Sequence, residues 1–119
     1  MDSREKITGA GRALASASPS DTVIVAGYFD PLLAVHARRL RELRSDARRL
    51  VVMILDPPDP ALPLRARAEL VAALECVDFV VIGDHPCAGF PVIHEEQADL
   101  RRRAGLIERV AERAKVGAR

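Results

Sequence analysis

Few side chains in this chain have the means to do chemistry, and their surroundings sort them. His36 follows the turn Gly27-Tyr28-Phe29-Asp30-Pro31 and lies in a stretch of helical period. A histidine in the first turn of a helix can donate to a phosphate, where backbone N–H groups also favour anions. His36 is also one helical turn from Leu32 and from Leu40, so it can equally border the core. His85 and His94 are lone loop histidines without Cys or carboxylate at ligand spacing, which indicates no metal site. Asp56, Asp59 and Asp84 come just after predicted strands; they either face a ligand cleft or are ordinary turn residues. Arg101-Arg102-Arg103 can bind phosphate or an acidic partner, or form a solvated helix face. Cys76 and Cys87 make neither a metal-type pair nor a disulfide framework. Cys76 reads as a small buried apolar residue, and Cys87 lies in a Pro/Gly loop.

These residues need a scaffold, and the apolar pattern predicts one. Thr22–Ala26, Leu50–Leu55 and Val77–Ile82 are continuous apolar runs, as expected of strands buried on both faces of a parallel sheet. Val92-Ile93 suggests a short fourth strand. Between the first two runs, Leu33, Ala37, Leu40, Leu43 and Ala47 recur at helical spacing, with Asp30 as a candidate cap and Pro31 at the first helical position. Pro63 is placed to open a second helix over Leu64–Glu75. A last helix is predicted over Glu95–Ala114, its acidic start (Glu95, Glu96, Asp99) and basic end (Arg113, Lys115) matching the helix dipole. Residues 1–20 are Ser-, Ala- and Gly-rich and read as a flexible N-terminal arm with at most a weak helix. Residues 21–119 form one domain. Alternating strands and helices imply a three-layer α/β fold, a Rossmann-like parallel sheet with helices on both faces. Ligands of such sheets bind beyond the carboxyl ends of the strands, near a topological switch point, so the loop Gly27–Asp30 is the first place to look.

The bulk numbers exclude several classes. At 119 residues the chain fits one domain, and 49% hydrophobic with 29% charged residues is globular rather than disordered. A net charge of +1 supplies no global field for nucleic acid or an anionic membrane. Aromatics are only 3%, so the core must be built from Val, Ile, Leu and Ala. Met1-Asp2-Ser3-Arg4-Glu5 is followed by no apolar stretch, no run reaches membrane-spanning length, and the default location is cytoplasmic.

The segment Gly27-Tyr28-Phe29-Asp30-Pro31-Leu32-Leu33-Ala34-Val35-His36 resembles the opening signature of the cytidylyltransferase-like nucleotidyltransferases, G-x-F-D-x-x-H-x-G-H. Gly27, Phe29, Asp30 and His36 match in register; Leu33 stands at the first histidine and Val35 at the glycine. A second stretch, Arg67-Ala68-Glu69-Leu70-Val71-Ala72-Ala73-Leu74-Glu75-Cys76-Val77-Asp78-Phe79-Val80-Val81, is similar to the heptose-phosphate adenylyltransferase type, as is the spacing of Pro60 and Pro63. Asp59 replaces the arginine before the first proline. The resemblance covers residues 22–82 well and also extends to glycerol-phosphate cytidylyltransferases.

The resemblance implies CTP or ATP as ligand, with Mg²⁺, and attack of a phosphate-bearing substrate on the nucleotide's α-phosphate. It assigns His36 to catalysis and Gly27, Tyr28, Phe29, Asp30 and Arg67 to the nucleotide; read from the residues alone, Arg67 is equally a solvated helix charge. Other parts of the family's equipment are missing. The Leu33 side chain donates no hydrogen bond. No lysine lies between Lys6 and Lys115, and Arg65 or Arg67 is no direct substitute. The late helix has Leu100-Arg101-Arg102-Arg103-Ala104-Gly105 where hydroxyls are expected, and the segment between Ile82 and Val92 is short. The expectation is a degenerate nucleotidyltransferase-like domain that binds a nucleotide or small phosphorylated molecule with weak or no transfer. The rivals are an active cytidylyl- or adenylyltransferase and a ligand-free interaction scaffold. A homodimer is expected, since a shortened fourth unit leaves apolar surface uncovered.

Overall fold

The computed structural model describes residues 2–117. Its elements are a 3-10 turn over Ser3–Lys6, α1 Ala10–Ala13, β1 Thr22–Gly27, α2 Ala34–Ser45, β2 Arg49–Ile54, α3 Leu64–Ala72, β3 Phe79–Ile82, β4 Val92–His94 and α4 Glu96–Gly117. The four strands form one parallel sheet in the order β3-β2-β1-β4. Val25 pairs with Val52 on one side and Ile93 on the other, and Val52 continues to Val80. The chain steps outward from β1 to β3, then returns to β4 on the far side of β1. The sheet's switch point therefore lies between the carboxyl ends of β1 and β4.

Side chains alternate strictly across the sheet. Val25, Leu50, Val52, Ile54 and Val80 meet Leu40 of α2 and Ala68, Val71 and Ala72 of α3. Ile24, Ala26, Val51, Met53 and Val81 point the other way. Both sets are buried, which is why each run is apolar throughout rather than alternating.

What covers the second face was not expected. Residues 2–20, read from composition as a loose arm, supply part of the cover: the turn over Ser3–Lys6 and Ile7 pack at the β3 edge beside α3, and Ala10, Ala13 and Leu14 lie on the second face. Ile7 bridges to Val80, and the Thr8 N–H donates to the Val80 carbonyl at 2.9 Å. Ala13 is fully buried against the sheet, with Ala10 and Leu14 beside it and Cys87 and Phe90 of the β3–β4 loop completing the cover. Arg49 Nη1 donates to the Ala13 and Ala15 carbonyls and fixes the end of α1. Small residues suit a segment that must lie close to a sheet, which composition alone does not separate from disorder.

One expected cap is corrected. Asp30 and Pro31 do not open α2, whose N-cap is Leu33; instead the Asp30 carboxylate accepts the N–H groups of Ala61 (2.7 Å) and Leu62 (2.8 Å) in the β2–α3 loop. The residue that closes α2 is His36, whose Nδ1 accepts the Leu33 N–H at 2.8 Å. It takes the reach-back role that Glu or Gln has in a capping box.

Placing a charge against the second face should expose how tightly residues 2–20 are held. Ala13→Asp is expected to cost roughly 2–4 kcal/mol by urea denaturation, because it puts a carboxylate into the apolar cluster between this segment and the sheet. An unchanged midpoint would show that the segment does not cover the sheet.

Candidate functional site

At the switch point β1 ends in Gly27, and the chain turns through Tyr28 and Phe29. Phe29 has φ 48°, in the left-handed region that costs a bulky residue energy. The turn brings two successive N–H groups onto one oxygen. Tyr28 N and Phe29 N donate to Asp99 Oδ2 at 2.8 and 3.2 Å. Successive amides that converge in this way form an anion-binding concavity. The anion in it is the chain's own carboxylate, from the first turn of α4.

Asp99 has two further donors. Its Oδ1 lies 2.7 Å from His36 Nε2 and 2.9 Å from Arg102 Nη1. Because His36 Nδ1 accepts from Leu33, the ring proton is on Nε2 and points at the carboxylate. His36 and Asp99 are 3% and 4% exposed. The imidazole is packed at 5.2 Å against the Phe29 ring, which fixes its plane. Gly27 leaves room for this arrangement: a Cβ there would stand 2.7 Å from Asp99 Oδ2 and 2.9 Å from Phe29. The remaining cavity between Phe29, His36, Arg39, Glu95 and Arg102 has a volume of about 10 Å³, no more than one water needs.

Arg67 is the largest fully buried side chain of the site region. Its Nε donates to the Leu62 carbonyl, its Nη1 to the carbonyls of Tyr28 and Leu55, and its Nη2 to Asp56. The guanidinium thus ties the ends of β1 and β2 to the start of α3. It positions the loop; it does not present its donors to a ligand. Arg65 lies outside, paired with Glu69.

The arginine run divides. Arg101 is exposed, Arg102 holds Asp99 and approaches Glu95 at 3.8 Å, and Arg103 reaches Asp30 at 3.4 Å. Two of the three are therefore at the switch point. Asp56 binds Arg67 from the surface, while Asp59 and Asp84 are exposed. His94 pairs with Glu96, and His85 approaches the Ile82 carbonyl; neither reaches the site.

Asp99 was the residue that sequence reading missed as a site group. Its position near the start of a helix marked it only as a dipole partner. Nothing in the helical period of Glu95–Ala114 singles it out as inward.

The site carboxylates do not fit Mg²⁺. Both oxygens of Asp30 accept backbone N–H groups, and both of Asp99 accept the four donors above. Among the described residues no three His, Cys, Asp or Glu side chains stand together as metal ligands. Both ring nitrogens of His36 are engaged within the fold, Nδ1 by the Leu33 N–H and Nε2 by Asp99.

Burial pushes the Asp99 carboxyl up, but hydrogen bonds from His36, Tyr28 and Phe29 outweigh it and hold the group below its ordinary 3.8. A lowered folded value means that the stabilisation is complete above the unfolded value and lost as pH falls through the folded one. Asp99→Asn should therefore cost roughly 2–3 kcal/mol near neutral pH, with the difference from wild type shrinking below about pH 4. Urea denaturation from about pH 3 to pH 7 checks this; a constant difference would show that Asp99 is not the titrating group. Among known proteins, no family model matches the chain and no curated sequence does.

Proposed function

We propose that the chain is a Rossmann-like, nucleotidyltransferase-like domain that binds a nucleotide or a small phosphorylated molecule and transfers nucleotidyl groups weakly or not at all. The observation that carries this reading is the convergence of two backbone N–H groups, His36 Nε2 and Arg102 on one anion at the switch point. Fixed donors around one oxyanion, next to a second arginine at Asp30, suit a phosphate group.

Several features support binding over turnover. Leu33 contributes only its backbone N–H, and that goes to His36. Arg67 is engaged within the fold and Arg65 is on the surface. Transfer spreads negative charge over the phosphates and the leaving pyrophosphate, and each missing donor typically costs on the order of a hundredfold in rate. The expected outcome is stabilisation by CTP, ATP or inorganic phosphate in thermal shift, with no dependence on Mg²⁺ beyond its binding to the nucleotide, and pyrophosphate release far below about one turnover per second. The assay panel takes sugar phosphates, polyol phosphates and phosphocholine-like acceptors with Mg²⁺ or Mn²⁺. Turnover near one per second, lost in His36→Ala, would identify a working enzyme instead.

A second reading, a dimerising scaffold, is favoured by α4. Ile107 and Val110 are 57% and 58% exposed on one helical face, and the molecule extends 58 Å along its long axis against 28 and 25 Å across. Under this reading the chain sediments as a homodimer at micromolar concentration, and Ile107→Glu with Val110→Glu yields a monomer. A wild-type monomer at high micromolar concentration removes the reading.

A further inference from the structure

The donors at the switch point are all in use, and what uses them is an acidic side chain of the same chain. Its placement is that of a ligand. Asp99 Oδ2 lies in the concavity of the Tyr28 and Phe29 amides, and Oδ1 between His36 and Arg102. A carboxylate offers two oxygens in a plane; a phosphate offers three or four with the same charge preference. The cradle is rigid around this occupant. His36 is fixed by the Leu33 N–H and the Phe29 ring, and the Tyr28 carbonyl is held by Arg67.

The occupant's own support is lighter. Asp99 belongs to the first turn of α4, whose attachments to β1 include the Glu95 N–H bond to the Ala26 carbonyl. From Ile107 to Ala114 every residue of α4 is exposed, so its attachment comes from its first three turns. Arg102 and Arg103 lie one turn further along, partly exposed, and face the same rim as Asp99.

We propose that Asp99 is an intramolecular plug, seated in the oxyanion site by α4 and displaced when the phosphate of a ligand takes its place. This rests on the phosphate-binding reading above and adds the regulation of that site. The plug sets affinity by competition: a ligand sees only the fraction of molecules in which the carboxylate has left. When it leaves, Arg102 is released from Asp99 to meet the ligand's remaining oxygens, beside Arg103 at Asp30. The unfamiliar consequence is that removing a buried acidic residue improves binding.

The test compares wild type, Asp99→Ala and Asp99→Ala with Gly27→Ala, using inorganic phosphate, CTP and formate as probes at matched ionic strength. Affinity is read by calorimetry and melting temperature against a chloride control. Asp99→Ala is expected to bind phosphate and CTP on the order of tenfold to a hundredfold more tightly than wild type, and formate to restore part of its lost melting temperature. The added Gly27→Ala should abolish both responses, because its Cβ crowds the anion position whichever anion fills it. If Asp99→Ala does not fold, Asp99→Asn provides the same comparison, with a neutral side chain and a smaller gain in affinity. Equal affinity in wild type and variant would overturn the plug while leaving the phosphate site intact. Rescue by formate with no response to phosphate or CTP in either protein would overturn both readings.

Discussion

A buried carboxylate is costly unless donors replace the water it has lost, and here that requirement organises one end of the molecule. Asp99 stays ionised only because two amides, an imidazole and a guanidinium reach it together. The donors come from three elements. The amides demand the turn after β1 with Phe29 in its unusual backbone state, the imidazole demands the start of α2, and the guanidinium comes from α4 itself. That one group is where the turn after β1, the start of α2 and the first turn of α4 meet in hydrogen bonds.

The same arrangement explains why a site with several parts of an anion cradle has so little room. The residues that would receive a ligand's charge are satisfied from within, so the chain folds to a closed state that leaves no buried side-chain nitrogen or oxygen unpartnered among its described residues. Under the phosphate-binding proposal, stability and ligand access are opposed at this position. His36 illustrates the double use. Its Nδ1 caps a helix and its Nε2 faces the anion, so a single ring both ends the loop and lines the site.

Much of the scaffold was legible in the sequence because three uninterrupted apolar runs have few alternatives. Thr22–Ala26, Leu50–Leu55 and Val77–Ile82 match β1, β2 and β3 to within a residue or two, and their parallel register follows from the helices between them. The place of the turn after β1 at the sheet's switch point was legible for the same reason. Contacts across long sequence distances were not. Asp99 lies far along the chain from Tyr28, and its acidity was fully explained locally by the helix dipole. Asp30 also misled for a local reason: Asp-Pro after a strand is a good helix start, yet its oxygens go to Ala61 and Leu62. The covering role of Ala10–Leu14 escaped because alanine and glycine look the same to composition whether they are loose or closely packed.

Arg67 has a further implication for how this chain can change. Three of its four hydrogen-bond partners are main-chain carbonyls, belonging to Tyr28, Leu55 and Leu62, which every residue type carries. The anchor therefore reads the path of the loops and not their spelling. Exposed side chains between Asp56 and Leu62, such as Ala61, can be exchanged while that path is kept, whereas Pro57 is buried and Asp59 holds a left-handed backbone at φ 54°. Only the guanidinium itself has no synonym, since a lysine's single ammonium cannot span four acceptors set around a planar fork.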